Sequence, residues 1–109
     1  MRVCIPVAED GLIDPRWGRA HQVAIVEVSA GLVSSWQEHE VGWDIAHDSA
    51  GEGAHHAAVA RFLRDEGVDT VVAHHMGPPM SHMLERLGIR VLLGASGPAR
   101  EAVTTVSQA

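Results

Sequence analysis

Histidine is the residue type that offers this chain the most chemistry. Eight histidines occur among 109 residues, in a chain with one Phe and no Tyr or Lys. They include two adjacent pairs, His55-His56 and His74-His75. Neutral imidazole binds Zn, Cu and Fe well, and three imidazoles with an open fourth position are typical of catalytic metal sites. The pattern predicts a histidine-rich site for a transition metal ion or a metal cluster.

Both pairs fall next to predicted secondary structure. The run GAHHAAVARFLRDEG predicts a helix over 53–67, which places His55 and His56 in its first turn. There the positive end of the helix dipole disfavours imidazolium and favours the neutral, ligating form. His74 and His75 end a predicted buried strand, and strand alternation directs them to opposite faces. We expect one of these two to point into a crevice.

The loop at 42–53, which has three Gly and two Asp, offers a further ligand. His47 can complete the site, with Asp48 or Glu52 as an oxygen ligand or as a partner that orients the imidazole. For any single histidine the alternative is a solvated or backbone-capping side chain, because His is intermediate in burial. The predicted metal ligands are His47, His55, His56, His74 and His75.

The remaining histidines and the methionines carry weaker signals. His21 and His39 fall in predicted strands and are interpreted as structural, and His82 is expected to face solvent. Met80 lies on the apolar face of a predicted helix, so packing is favoured over copper ligation. The role of Met76 stays open.

An anion site is also possible at two places. Arg16 and Arg19 can hold an anionic ligand through paired hydrogen bonds; the alternative is a solvated ion pair with an acid within 9–14. Ser96 and Gly97 precede a predicted helix whose first backbone N–H groups can bind an anion.

Alternating elements must position these residues. Runs rich in β-branched residues predict strands over 2–7, 21–28, 32–41, 68–75 and 89–94. Helices are predicted over 53–67, from Pro78 to Gly88, and over 96–106. Repeated strand–helix–strand units require a mainly parallel sheet with helices on its faces. In the run 32–41 neither the odd-numbered nor the even-numbered residues are consistently apolar, which indicates an edge strand. Two copies of the chain can form a homodimer by pairing at such an edge.

Composition narrows the class of protein. The length and the 46% hydrophobic content predict a single domain over 1–109, and a net charge of −6 without a basic stripe excludes nucleic acid as a partner. No apolar run approaches the ~18 residues needed to cross a bilayer, and no signal-peptide pattern occurs, so we expect a cytoplasmic chain without a membrane partner. The lone Cys4 excludes an internal disulfide and a CxxC metal site.

Three stretches carry a resemblance. They are RVCIPVAEDG, WGRAHQVAIVEV and GVDTVVAHHMGPPMSHMLERLGIRVLLGASG. Together they resemble the dinitrogenase iron-molybdenum cofactor biosynthesis family. The family commonly has a His-Phe-Gly-Arg-Ala turn where this chain has RWGRA at 16–20, and two glycines where it has His74-His75.

The resemblance implies an α/β, three-layer ribonuclease H-like fold. Its five-stranded mixed sheet has the order 3-2-1-4-5, strand 2 is antiparallel, and helices cover both faces. It also implies an iron-sulfur or molybdenum-containing cluster as ligand. Ligands in such sheets bind outside the carboxyl ends of the parallel strands, where loops 8–20, 40–55, 74–78 and 94–98 would meet. Trp17 would there form an apolar wall or pack in the core.

The sequence and the resemblance together suggest two functions of different kinds, one a binding function and the other an enzymatic one. The first is a non-catalytic protein that carries, stores or delivers a metal ion or cluster. The second is a small metalloenzyme in which histidines hold Fe, Cu or Zn and an arginine orients a small anionic substrate. A third reading is a regulatory domain that kept the fold and lost the ligand.

Overall fold

A five-stranded sheet with helices against both faces organises the chain. The structure, a computed structural model, describes residues 1–45 and 51–108. The strands are β1 (Arg2–Val7), β2 (Gln22–Ser29), β3 (Leu32–Glu40), β4 (Thr70–Val72) and β5 (Arg90–Leu92). Helices run as α1 (Glu52–Asp65), α2 (Pro78–Arg86) and α3 (Ala99–Gln108), and a 3-10 turn spans Trp17–Arg19.

The strand order is β3-β2-β1-β4-β5. β2 is antiparallel to β1 and β3, whereas β4 is parallel to β1 and β5. This is the predicted ribonuclease H-like order, with β3 at the edge as predicted, and β2 and β3 form an antiparallel hairpin. Because β1 and β4 are parallel neighbours, their carboxyl ends lie side by side and the loops that follow them can share one site.

A bulge at Ser34 explains why the sequence of β3 does not alternate cleanly. Two consecutive residues of β2 pair with Ser35 and Val33, so Ser34 between them has no opposite residue. One extra residue reverses the parity of the strand on either side of it. Val33 and Trp36 therefore both pack on the face covered by α3.

Local signals in the sequence set the helix ends. α1 ends two residues before Gly67 and α2 two residues before Gly88, and these glycines have φ of +69° and +79°. A side chain would be strained there, so each glycine stops its helix. Pro78 and Pro79 occupy the first turn of α2, where a missing N–H breaks no helical hydrogen bond. The last helix begins at Ala99, directly after Pro98, rather than at 96.

The core lies in two layers, one on each face of the sheet. On one face α1 and α2 contribute Val59, Leu63, Met80 and Leu84, all buried with Trp17 and Trp43. On the other face α3 contributes Ala99 and Val103, which pack on Val3, Ile5, Val26 and Val72. Within the described ranges, every helix is too short or too polar to span a lipid bilayer.

Candidate functional site

A cavity of about 350 Å³ opens beyond the carboxyl ends of β1 and β4; we call it the histidine cavity. Three segments form its walls: residues 15–19, residues 55–56 in the first turns of α1, and residues 75–80 without Pro78. Three predicted metal ligands thus surround one space: His55, His56 and His75.

Backbone pairing joins the first wall to the third. Arg16 and His75 form an isolated parallel β-bridge beyond the ends of the strands. The Asp14 carboxylate accepts a hydrogen bond from the backbone N–H of Arg16 at 2.9 Å, and the backbone N–H of Asp14 donates to the Pro6 carbonyl at 3.1 Å. The rim of the cavity is therefore anchored to the end of β1.

His55 connects the second wall to the first. Its Nε2 lies 2.7 Å from the carbonyl oxygen of Gly18, and the residue is 2% exposed. Because a carbonyl oxygen only accepts hydrogen bonds, Nε2 carries the proton and donates. Ligation of a metal by His55 would therefore have to use Nδ1.

Trp43 supports the Trp17 wall from behind. The two rings meet edge to face with centroids 5.1 Å apart, and the Trp43 ring also lies 6.5 Å from that of His55. The backbone N–H of Trp43 donates to the carbonyl of Ala20 at 3.0 Å. Both tryptophans are buried, and Trp17 lines the cavity. Trp17 is thus both an apolar wall and part of the core.

His21 holds the segment that carries Trp43. Its Nε2 lies 2.9 Å from Oε1 of Glu40 and its Nδ1 lies 3.1 Å from Oδ1 of Asp44. The hydrogen bond to Asp44, followed by that to Glu40, raises the pKa of His21, and the same contact lowers the pKa of Asp44. The backbone carbonyl of His21 also accepts from the N–H of Val41 at 2.9 Å. His21 therefore has a structural role, as interpreted from the sequence.

The adjacent histidines after β4 point to different places. His75 lines the histidine cavity, whereas Nδ1 of His74 donates to the carbonyl of Ala95 at 3.2 Å, in the loop after β5. Alternation thus sends one of the two into the crevice, as expected. The structure does not bring His74 to the other three.

Methionine side chains form an apolar part of the cavity. Met76 and Met80 both line it and are both 5% exposed. Met80 belongs to the core beneath α2, as predicted. His56 lies between this cavity and a second groove, which also contains the exposed His82.

The two arginines of the first wall differ in their surroundings. Nε and Nη2 of Arg16 donate to the Asp14 carboxylate at 3.2 and 3.3 Å, and Asp14 is nearly buried. This pair raises the pKa of Arg16. The ion pair weighed against anion binding for Arg16 is therefore present, and its partner is Asp14. Arg19 is exposed at the cavity rim.

Comparison with known proteins identifies the family. Residues 1–109 match the family model described as "Dinitrogenase iron-molybdenum cofactor". The chain belongs to this family. A search of curated protein sequences finds no match.

Solved structures share the fold of this cofactor family member. The crystal structure of PH0822 matches with a TM-score of 0.79 and 22% identity, over 98% of this chain and 88% of that one. The apo form of the orange protein from Desulfovibrio gigas matches with a TM-score of 0.78 and 24% identity, over 98% of this chain and 88% of that one. The NMR structure of TM1290 from Thermotoga, of the DUF35 family, matches with a TM-score of 0.68 and 26% identity, over 98% of this chain and 87% of that one.

Ser96 and Gly97 lie outside the walls of the histidine cavity of this family member. The carbonyl of Gly97 accepts from the N–H of Ile13 at 2.9 Å, and Pro98 forms an isolated bridge with Leu12. Their loop thus packs on the segment after β1, and the geometry does not bring these two residues to the cavity that Arg16 lines.

The described part of the chain gives little support for a site that binds a single metal ion. Within residues 1–45 and 51–108, no group of three or more His, Cys, Asp or Glu side chains is arranged to hold a metal ion. His47 and Asp48, the loop candidates, lie outside the described residues, as does the side chain of Glu52.

Sequence reasoning missed two parts of the site, the Gly18 carbonyl and the indole N–H of Trp17, and it weighed a third, Asp14, only as an ion-pair partner of Arg16. The Gly18 carbonyl and the Asp14 carboxylate hold the walls together, and the indole N–H of Trp17 is a buried donor at the cavity. Only Asp14 gave a signal, as an Asp two residues before Arg16 in a turn, where such side chains bond nearby backbone N–H groups.

Proposed function

We propose that this family member binds a preassembled metal cluster in the histidine cavity and delivers it without transforming it. The observation that carries the proposal is the convergence of His55, His56 and His75 on one cavity, in a chain of the iron-molybdenum cofactor family. The cluster is cargo, so the site must hold it and also release it.

The donors at the cavity suit reversible binding. Cys4, the chain's single cysteine, is buried within β1, and burial raises the pKa of its thiol. Cys4 therefore cannot supply a thiolate ligand at the cavity. The walls instead present imidazole nitrogens and two thioether sulfurs, which are neutral ligands for soft metals. Such a site can hold a cluster by shape and weak contacts.

Positive charge at the rim suits an anionic cargo. Arg16 and Arg19 both line the cavity, and Asp14 engages only Nε and Nη2 of the Arg16 side chain. A guanidinium has five N–H donors, so the contact with Asp14 leaves the two donors of Nη1 for a ligand. Metal–sulfur clusters and thiometallates are anions, and these arginines support the predicted anionic ligand.

The alternative, a histidine-ligated metalloenzyme, needs three ligands around one ion. The described histidines are not arranged in that way, and Nε2 of His55 is engaged by Gly18. These observations favour a carrier. Action in the cytoplasm and pairing of two copies through β3 remain predictions.

Binding of defined probes to the untagged chain tests the proposal. We would titrate the apoprotein with tetrathiomolybdate, with Fe²⁺ plus sulfide under anaerobic conditions, and with Zn²⁺ or Cu²⁺ alone. We expect a stoichiometric complex with a sulfide-containing probe, detected by its charge-transfer absorption and by metal analysis after gel filtration. Binding of Zn²⁺ or Cu²⁺ alone, with no binding of either sulfide-containing probe, would overturn the carrier proposal.

A matched pair of double variants locates the site. His56→Ala/His75→Ala removes two cavity histidines, and His74→Ala/His82→Ala removes two exposed histidines outside the cavity walls. Both variants lose the same number of imidazoles. We expect the first to weaken probe binding by at least about tenfold, or about 1.4 kcal/mol, and the second to leave it unchanged. Equal loss in both would mean that the histidine cavity is not the site.

A further inference from the structure

One wall of the histidine cavity holds a buried hydrogen-bond donor that the protein itself does not satisfy. Trp17 is 2% exposed and lines the cavity. Its Nε1 has almost no accessible surface and, within the described part of the chain, no hydrogen-bond acceptor. Water therefore cannot replace the missing acceptor as it does for an exposed indole.

Such a group is rare in folded proteins. Nearly all buried polar groups are paired, because desolvation of an N–H without a new hydrogen bond is destabilising. The contrast within this chain is Trp36, whose Nε1 donates to Oε2 of Glu38 at 3.0 Å on the protein surface. The Trp17 N–H therefore lacks an acceptor because of where its ring is buried in the fold.

The surroundings of the ring indicate where an acceptor can come from. One side of Trp17 meets the edge of Trp43, and the ring belongs to the apolar core with Ala20 and Met80. Trp17 also lines the histidine cavity. A molecule seated in the cavity could therefore supply the acceptor, provided that the wall shifts enough to expose the N–H, which has almost no accessible surface.

We propose that the indole N–H of Trp17 donates a hydrogen bond to the cavity ligand and selects ligands that present a sulfide or oxide acceptor to this wall. The inference rests on the proposed cargo-binding function and adds a specificity-determining residue to it.

The position of the donor complements the charges at the rim. Arg16, whose contacts with Asp14 use Nε and Nη2, lines the same cavity, and so does His75, its partner in the isolated β-bridge. An anion bound between them would place electron-rich sulfide or oxide atoms near the indole edge, which carries the positive part of the ring's charge distribution. A neutral apolar ligand of the same size would leave the Trp17 donor unsatisfied.

Nuclear magnetic resonance of the wild-type protein tests this inference without any change at Trp17. The three tryptophans give three indole N–H signals in ¹⁵N-labelled protein, assigned by Trp36→Phe and Trp43→Phe. On saturation with tetrathiomolybdate we expect the Trp17 proton to move downfield, as in a new hydrogen bond, while the Trp36 signal stays in place. Saturation without any movement of the Trp17 signal would overturn the inference.

Replacement of the N–H by an isosteric group gives a second, independent readout. Benzothienylalanine at position 17 keeps the ring shape and has sulfur instead of N–H. We expect tetrathiomolybdate affinity to fall about three- to tenfold, the equivalent of one ordinary hydrogen bond, and stability of the apoprotein to stay equal or rise. Unchanged affinity, or loss of apoprotein stability from an internal hydrogen bond, would contradict the proposal.

These outcomes separate the inference from the function on which it rests. Failure of wild type to bind either sulfide-containing probe overturns both. Binding that depends on His56 and His75, with the Trp17 signal and the isosteric variant both unaffected, leaves the carrier function in place and overturns the role of Trp17 alone.

Discussion

Nε2 of His55 lies 2.7 Å from the carbonyl oxygen of Gly18, so the imidazole that the sequence offers as a metal ligand is a donor to the protein backbone. The contact joins the first turns of α1 to the Trp17–Arg19 turn. Two of the three cavity walls are therefore held in place by one buried side chain.

Substitutions at His55 should separate an anchoring role from a ligating one. His55→Leu removes the donor and leaves the Gly18 carbonyl unsatisfied, so we expect a loss of about 1–3 kcal/mol in the free energy of unfolding and weaker probe binding. The side-chain amide of His55→Gln can occupy the Nε2 position. We expect this variant to recover most of the free energy of unfolding and most of the probe affinity. Urea denaturation and tetrathiomolybdate titration measure the two effects.

The conservative variant decides the question. If His55 bound the metal directly through Nδ1, His55→Gln and His55→Leu would abolish binding to the same extent, because an amide is a poor substitute for imidazole at a transition metal. Recovery by Gln fits only the anchoring role.

Met76 is a second residue whose function can be resolved by a conservative change. It is 5% exposed at the cavity, so its thioether either packs as an apolar surface or ligates a soft metal. We expect Met76→Leu to keep probe affinity within about twofold, since leucine preserves the apolar volume. Met76→Ala should lower the free energy of unfolding by about 2–4 kcal/mol, as measured by urea denaturation. Equal loss of probe affinity in Leu and Ala would identify the sulfur as a ligand.

Asp14 should contribute to stability far more than a neighbouring surface Asp. Its nearly buried carboxylate accepts from the backbone N–H, Nε and Nη2 of Arg16. Asp14→Asn removes the charge from these hydrogen bonds, and we expect a loss of about 1–3 kcal/mol in the free energy of unfolding.

Asp10→Asn is the matched control, because Asp10 is exposed and accepts one backbone hydrogen bond, from Leu12 at 3.1 Å. We expect this change to stay within about 0.5 kcal/mol. A similar loss in both variants would mean that the Arg16 pairing adds nothing beyond local turn structure.

Secondary structure followed largely from local signals, which is why it could be predicted. Gly67, Gly88 and Pro78 mark helix ends through backbone constraints that act at the residue itself. The irregular alternation of β3 had a cause that sequence does not reveal, because the bulge at Ser34 depends on the register with β2.

The site was harder to predict because it depends on contacts between distant segments. Alternation indicated that one of His74 and His75 faces the crevice, but the Arg16–His75 bridge decides which. The hydrogen bond that engages His55 joins residues 37 positions apart. Such pairing is set by the packing of loops after β1 and β4, and no pattern within either loop encodes it.

The clamp formed by His21, Glu40 and Asp44 should make stability depend on pH. The pKa of His21 is raised, first by Asp44 and then by Glu40, so its contribution to stability is complete below its unfolded value of about 6.5 and is lost as pH rises through the raised pKa. The pKa of Asp44 is lowered, so its contribution is present above its unfolded value and is lost as pH falls through the lowered pKa. The clamp is strongest between these two pKa values.

Comparison of wild type with His21→Gln across about pH 5 to 9 measures this effect directly. We expect the difference in the free energy of unfolding to be largest near the acidic end of this range and to shrink as pH rises. His82→Gln serves as the control for loss of an exposed imidazole, because His82 has no carboxylate partner in the described ranges. A pH-independent difference for His21→Gln would mean that His21 holds residues 41–44 through its backbone carbonyl alone, since Val41 donates to that carbonyl in either protonation state.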